Sequence, residues 1–221
     1  MDSTLMSPPI QAKVFQCENT LAVARNLLGR VLARRRADGQ ETRHVITETE
    51  AYHGPLDLAC HASKGRTERT EVMFGPGGVW YVYLCYGIHE MLNLVTGPVG
   101  FPAAVLIRGL ADVSGPGRLT KRLEIGRALN GAPATVESGL WIEGGERGEA
   151  GVPGRLIRAT PRIGVDYAGE EWAGKLWRFV IEPAVVNRGE DGAGEHSHRA
   201  HRRGGRSRSE GQGGILTTDE H

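Results

Sequence analysis

Long hydrophobic runs are missing from the chain. No window of its 221 residues approaches the ~18 consecutive apolar residues that a membrane span needs, so a transmembrane helix is excluded. The opening MDSTLMSPPIQAK has no basic stretch followed by an apolar one, and no secretory signal is expected from it. Cysteine is scarce. Cys17, Cys60 and Cys85 are far apart and odd in number, which argues against a disulfide framework and for a reducing, cytoplasmic setting. Strong net charge is absent too: the balance is +1, so total charge announces no nucleic-acid binder. Lysine is nearly missing, with 23 of the 27 basic residues being arginine. Arginine matches phosphate geometry, although a genomic base bias produces the same excess.

What is present suffices for a core. Hydrophobic residues make up 39% and charged ones 24%, ordinary for one soluble domain with or without a tail. Composition breaks near residue 188. From Arg188 to His221 there are six arginines, six acids, eight glycines and half of all the histidines. Such a segment buries too little surface to offset its ordering entropy, and a disordered tail is expected. The expected layout is a flexible start over 1–13, one domain over 14–187 and the tail over 188–221.

Inside the domain Thr20 is expected to cap a helix whose Leu21, Ala24, Leu27 and Leu28 share a face and which Gly29 ends. Val31–Ala33, His44–Tyr52, Val79–Cys85, Ile88–Val95 and Ala103–Leu110 read as strands, with Tyr86-Gly87 as a tight hairpin. A short helix is expected over Leu119–Leu129, and further strands over Leu140–Ile142, Arg162–Val165 and Leu176–Ile181. The fold class is α+β: a single domain with a curved, mostly antiparallel β-sheet, peripheral helices and a protruding β-hairpin.

Three segments carry candidate chemistry. In Ile46-Thr47-Glu48-Thr49-Glu50-Ala51-Tyr52, strand alternation puts Glu48, Glu50 and Tyr52 on one face with Ile46. An acid fixed beside aromatics at a strand end suits a water-activating base; a surface ion pair with arginine is the alternative. In Val79–Gly87, alternation puts Tyr81 and Tyr83 on one face, while Tyr86 sits at the hairpin tip, where burial does not explain an aromatic. That ring either wedges into a base stack or docks on a partner, or the strand is merely core-lining. In the third segment Arg108 ends an apolar strand and must find an acid, Glu50 or another.

Together these segments resemble the alkyladenine, or 3-methyladenine, DNA glycosylases of the human type. The likeness runs from about Leu21 to Ile181 and rests on seven ordered blocks. These are ARNLLG, TETEAY-x-GP-x-D-x-A-x-H, MF-x-PG, YVY-x-x-YG, the spaced Asn93, VL-x-R, and RIGVDYAGEEWAGKLWRF. The resemblance implies a fold like the C-terminal domain of methionyl-tRNA formyltransferase. It also implies excision of damaged purines from double-stranded DNA in base excision repair. Glu50 matches the general base, Arg108 a residue that helps hold the water, and the backbone carbonyl of Ile163 that water's third contact. Tyr52, His61 and Tyr83 match the side chains that sandwich the extruded base. Asn93 matches the residue that clashes with the 2-amino group of guanine, and Tyr86 the intercalating wedge. Glu48, by contrast, is expected to be dispensable.

The chain departs from the mammalian pattern at His53 and at His89-Glu90. An acid near a DNA-facing hairpin is unfavourable unless paired. Among rivals, a metal-dependent hydrolase lacks ligand spacing, for no CxxC, HxxxH or HxE pattern is present. A glycosylase/lyase needs an amine nucleophile, and none of the four lysines lies in the EAY or YVY blocks. A non-catalytic nucleic-acid-binding module of the same fold would have no need of Glu50 and Arg108. The expectation is a monomeric, monofunctional enzyme without metal or cofactor, with no membrane partner. It would be cytoplasmic at the nucleoid if bacterial and nuclear if eukaryotic.

Overall fold

The computed structural model describes residues 7–144 and 156–182. The tail over 188–221 lies outside them. The helix α1 spans Thr20–Leu27. Asn19, not Thr20, caps it, accepting the Ala22 N–H at 3.0 Å. Thr20 is instead buried, its hydroxyl 3.0 Å from that of Thr96. Gly29, at φ +76°, turns the chain out of the helix as expected, in a region where a side chain is strained.

Among the described residues nine strands follow: β1 Val31–Arg35, β2 Glu41–His53, β3 Trp80–Cys85, β4 His89–Val95, β5 Ala103–Leu110, β6 Val113–Ser114, β7 Leu140–Glu143, β8 Ile157–Thr160 and β9 Arg178–Ile181. They form one sheet in the order β3-β4-β5-β2-β1-β7, with β6 on β5, β9 on β2 and β8 on β9. Every pairing is antiparallel. Two further short helices, α2 Pro116–Arg122 and α3 Glu170–Gly174, complete an α+β domain. No helix among the described residues is long and apolar enough to cross a membrane.

β2 organises the molecule. Its first half pairs with β1, and its second half lies between β5 and β9. The register slips between Ile46 and Glu48 and again before Thr49. A slip of one residue moves side chains to the opposite face. Ile46 therefore joins Ala51 in the main core with α1 and α2, and does not share the face of Glu48, Glu50 and Tyr52 as simple alternation predicts. Thr49 also turns inward, donating to the Ala24 carbonyl at 2.9 Å.

Other boundaries differ for local reasons. Pro116 starts α2 three residues before Leu119, since its missing N–H is harmless in a first turn. Glu124, at φ +52°, then breaks the expected 119–129 helix, leaving only a 3-10 turn at Arg127–Leu129. Arg162–Val165 is a bend and not a strand; the strand lies earlier, at β8. Pro161 follows β8 and has no N–H for the ladder. The hairpin tip holds Tyr86, Gly87 and Ile88, one residue more than expected, with Cys85 opposite His89. Upstream of Val14, Pro9 bridges Glu143 and the Ile10 N–H donates to Ile142, so within 1–13 the described part is bonded to β7.

Candidate active site

Glu50 lies where β2 is flanked on both sides, opposite Leu106 of β5 and Arg178 of β9. Its side chain has no exposed surface, and three groups converge on the carboxylate. The Ile163 N–H donates to Oε1 at 2.8 Å and the Tyr52 hydroxyl to Oε2 at 2.9 Å. Arg108 Nε stands 3.5 Å from Oε1. Burial raises the Glu50 pKa above the usual carboxylate range, while Arg108 and the two hydrogen bonds pull it back only in part. A carboxylate held this way is a stronger base than one in water.

Two residues earlier, Glu48 has a different task. Its Oε1 accepts from Arg108 Nε at 3.0 Å and from Arg178 Nε at 2.6 Å, and Arg178 is held by the Thr160 hydroxyl. Glu48 thus turns Arg108 toward Glu50. It is more than a solvated surface acid.

Above this floor opens a cavity of about 780 Å³. Tyr52, His61, Tyr83, Asn93, Arg108 and Ile163 all line it. His61 stands edge-on to Tyr83, ring centres 4.6 Å apart, with Nδ1 3.0 Å from the Tyr81 hydroxyl. Desolvation, then the charges of Arg69 and Lys64, push the His61 pKa down to about 4. It is a neutral ring at physiological pH. Asn93 is buried, its amide donating to the carbonyls of Tyr81 and Met91. Cys60 also lines the wall, but burial pushes its thiol up to about 12, which makes it inert.

At the cavity's edge Tyr86 is 89% exposed and sits at φ +50°, a conformation rare for an aromatic residue. Neither burial nor backbone ease explains a tyrosine here. Glu90, on the same hairpin, is paired with Arg127 at 3.4 Å, which reduces its repulsion toward phosphates.

The model of one protein family, methylpurine-DNA glycosylase (MPG), matches residues 14–114 and 111–184. The chain belongs to this family. Among its relatives is a protein of Anaeromyxobacter sp. (strain Fw109-5), 45% identical over 179 residues that cover 77% of this chain and 88% of the relative. One from Methanocella arvoryzae is 44% identical over 202 residues, covering 81% and 97%. A third, from Psychrobacter cryohalolentis, is 47% identical over 192 residues, covering 73% and 86%. Each is named "putative 3-methyladenine DNA glycosylase". These relatives are bacterial and archaeal, so membership of the glycosylase family carries no human-type subdivision with it.

In this glycosylase the residues singled out from sequence therefore meet in one place: Glu50, Tyr52, His61, Tyr83, Tyr86, Asn93, Arg108 and Ile163. For Ile163 the contact seen is its N–H on Glu50, not its carbonyl. His53 takes no part in the cavity. Its Nδ1 meets the Thr20 hydroxyl at 3.0 Å, and its ring packs against Phe101 and Trp177.

Sequence reasoning missed the pair beneath the site. Arg162 and Asp57 form a fully buried, two-pronged bridge at 2.6 and 2.9 Å. The guanidinium lies 4.9 Å from the centre of the Tyr52 ring and also binds the carbonyls of Ala51 and Trp172. It pins the bend that delivers the Ile163 N–H to Glu50. Both residues stand inside quoted blocks, but nothing in the sequence pairs positions so far apart. Among the described residues no three metal-binding side chains converge.

Proposed function

We propose that this DNA repair glycosylase flips an alkylated or deaminated purine out of duplex DNA and hydrolyses its N-glycosidic bond, leaving an abasic site. The observation that carries this is the buried, pKa-raised carboxylate of Glu50, held by Tyr52, Ile163 and Arg108, three residues that line an aromatic cavity. A module that only bound nucleic acid would gain nothing from burying that charge.

The arrangement of these residues supports the following steps. Extruding a base costs a few kcal/mol of unstacking. Tyr86, exposed at the hairpin tip, enters the vacated stack and offsets part of that loss. Tyr52 and His61 with Tyr83 hold the base, each stacked base contributing about 1–3 kcal/mol. Asn93 stands against the 2-amino group of normal guanine. A water between Glu50, Arg108 and the Ile163 carbonyl gives its proton to Glu50 and its oxygen to C1′ as the C1′–N9 bond breaks and its electron pair leaves with the purine. An alkylated cationic purine departs neutral, and a deaminated one departs as an anion that solvent protonates. The ionised carboxylate also stabilises the positive charge that develops on the sugar. No amine nucleophile is needed, so the reaction is monofunctional and works without metal or cofactor. We further take the protein to be a monomer of the human-type site plan, with a fold like the formyltransferase C-terminal domain, acting in the cytoplasm at the nucleoid.

The decisive assay incubates the protein with duplexes carrying 3-methyladenine, 7-methylguanine, hypoxanthine or ethenoadenine, in EDTA, and scores abasic sites. Excision of at least one lesion is expected. Binding without excision of any lesion would overturn the proposal in favour of a binding module.

A further inference from the structure

The charges around the cavity do not balance. Beneath the cavity, Glu48, Glu50 and Asp57 are met by Arg108, Arg178 and Arg162, of which Arg108 also lines it. Two more cations, Lys64 and Arg69, line the same cavity from the segment after His61. The nearby acid Glu71 is taken by Arg66 at 2.7 Å. Among the described residues no ion pair joins Lys64 or Arg69 to a carboxylate. The Arg69 guanidinium lies 4.9 Å from the centre of the Tyr83 ring, one of the rings assigned above to the extruded base. Its field reaches inward as well, since it helps hold the His61 pKa down.

This placement bears on which bases the cavity accepts. Purines alkylated at N3 or N7 are cationic, and an aromatic ring attracts a cation through its electron-rich face. On that ground alone the cavity should favour them strongly. But a cation already lies on Tyr83. A cationic base must approach or displace it against like charge, whereas a neutral base stacks without that penalty. A purine with free N7 and O6 also offers the acceptor edge that a guanidinium fork binds well, and N7 alkylation removes one of those acceptors. We propose that Arg69 is a specificity-determining residue, a charge filter that shifts the cavity's preference from cationic alkylpurines toward neutral damaged purines such as hypoxanthine. The filter rests on the excision reaction proposed above.

The test compares ratios, so that any general loss of phosphate attraction cancels. For the parent, Arg69→Gln and Arg69→Lys, kcat/KM is measured on matched duplexes bearing 7-methylguanine and hypoxanthine. The 7-methylguanine-to-hypoxanthine ratio should rise about fivefold in Arg69→Gln, the scale of one partly screened charge a few ångströms away. Arg69→Lys keeps the charge but not the fork, and its ratio should lie between those of the parent and Arg69→Gln. Rising salt should narrow the gap between the parent and Arg69→Gln. The same two duplexes are then titrated against Glu50→Gln and Glu50→Gln/Arg69→Gln, where the ratio of dissociation constants should move the same way without turnover. An unchanged or falling preference for 7-methylguanine in both measurements overturns the filter. A parent that excises neither lesion, nor any other, overturns the excision reaction instead, and the binding ratios still judge Arg69.

Discussion

The floor and the rim of the cavity are built on opposite plans. On the floor, built on the charges just beneath the lining, each acid is met. Glu50 has three partners, Glu48 is shared by two arginines, and Asp57 takes both prongs of Arg162. On the rim, Tyr86 stands almost free of the protein, and Arg69 and Lys64 line the cavity with no carboxylate paired to either among the described residues. The floor has its partners before any ligand arrives, as a site for bond chemistry requires. The rim has groups left over, and these suit a polyanion and a gap in its base stack. The difference predicts that damage to the floor should appear in rate and stability, and damage to the rim in binding.

The largest effect is expected at Glu50. Glu50→Gln keeps volume and polarity but removes the base, and single-turnover excision should fall by roughly 10²–10⁴-fold. Binding to a lesion duplex should stay within a few-fold. Near-parental excision would show that another group activates the water. Glu48→Gln should cost less, about tenfold in the excision step, by loosening Arg108. It also removes a like charge that raises the Glu50 pKa, so the acid limb of its pH–rate profile should move to lower pH. In the parent that limb should lie above the ordinary carboxylate value of about 4.3, because the base must be ionised and its pKa is raised. A limb that does not move in Glu48→Gln would leave Glu48 purely structural.

Asp57→Asn breaks the buried bridge and strands Arg162. Loss of one partner of such a pair destabilises by about 3–5 kcal/mol, to be read from urea unfolding. On the rim, Tyr86→Ser should weaken binding to a lesion paired within a duplex by roughly tenfold. Excision of the same lesion in single-stranded DNA, where no stack is held open, should change little. Equal losses on both substrates would reduce Tyr86 to a structural residue.

The smallest effect concerns stability, and its sign is opposite. Glu50 has a raised pKa in the folded state, so between the unfolded and folded values the native protein binds more protons than the unfolded chain. Its stability therefore falls as pH rises through that window. Glu50→Gln should melt higher than the parent at neutral pH, and the gain should vanish as pH drops below the unfolded carboxylate value. A variant that melts lower at neutral pH would mean that Glu50 strengthens the fold.

Much of this architecture was legible in the sequence, because strand alternation and turn residues report local geometry directly. Ala103–Leu110 was readable to the residue, and Tyr81 and Tyr83 share a face with the cavity as alternation requires. What alternation does not carry is a slip in register. The bulges before Thr49 put Ile46 in the core, and no composition signal marks them. Glu48 and Glu50 are also indistinguishable locally, since each follows a threonine on the same strand. They are separated by what β9 and the 161–165 bend bring against them, contacts made by residues more than a hundred positions away. The Asp57–Arg162 bridge was invisible for the same reason.

The position of Glu50 between two neighbouring strands has a consequence for how the protein fails. Central strands exchange their amide hydrogens only in the largest opening events, while tips and termini open freely. The backbone around Glu50 is bonded toward both β5 and β9, and the next amide, Ala51, donates to Trp177. The Glu50 carboxylate therefore cannot drift out of place by local fraying. Heat should abolish excision of a lesion in single-stranded DNA, which needs no wedge, only when the whole domain melts, so that inactivation and unfolding curves should coincide, while duplex binding through the Tyr86 hairpin is lost earlier.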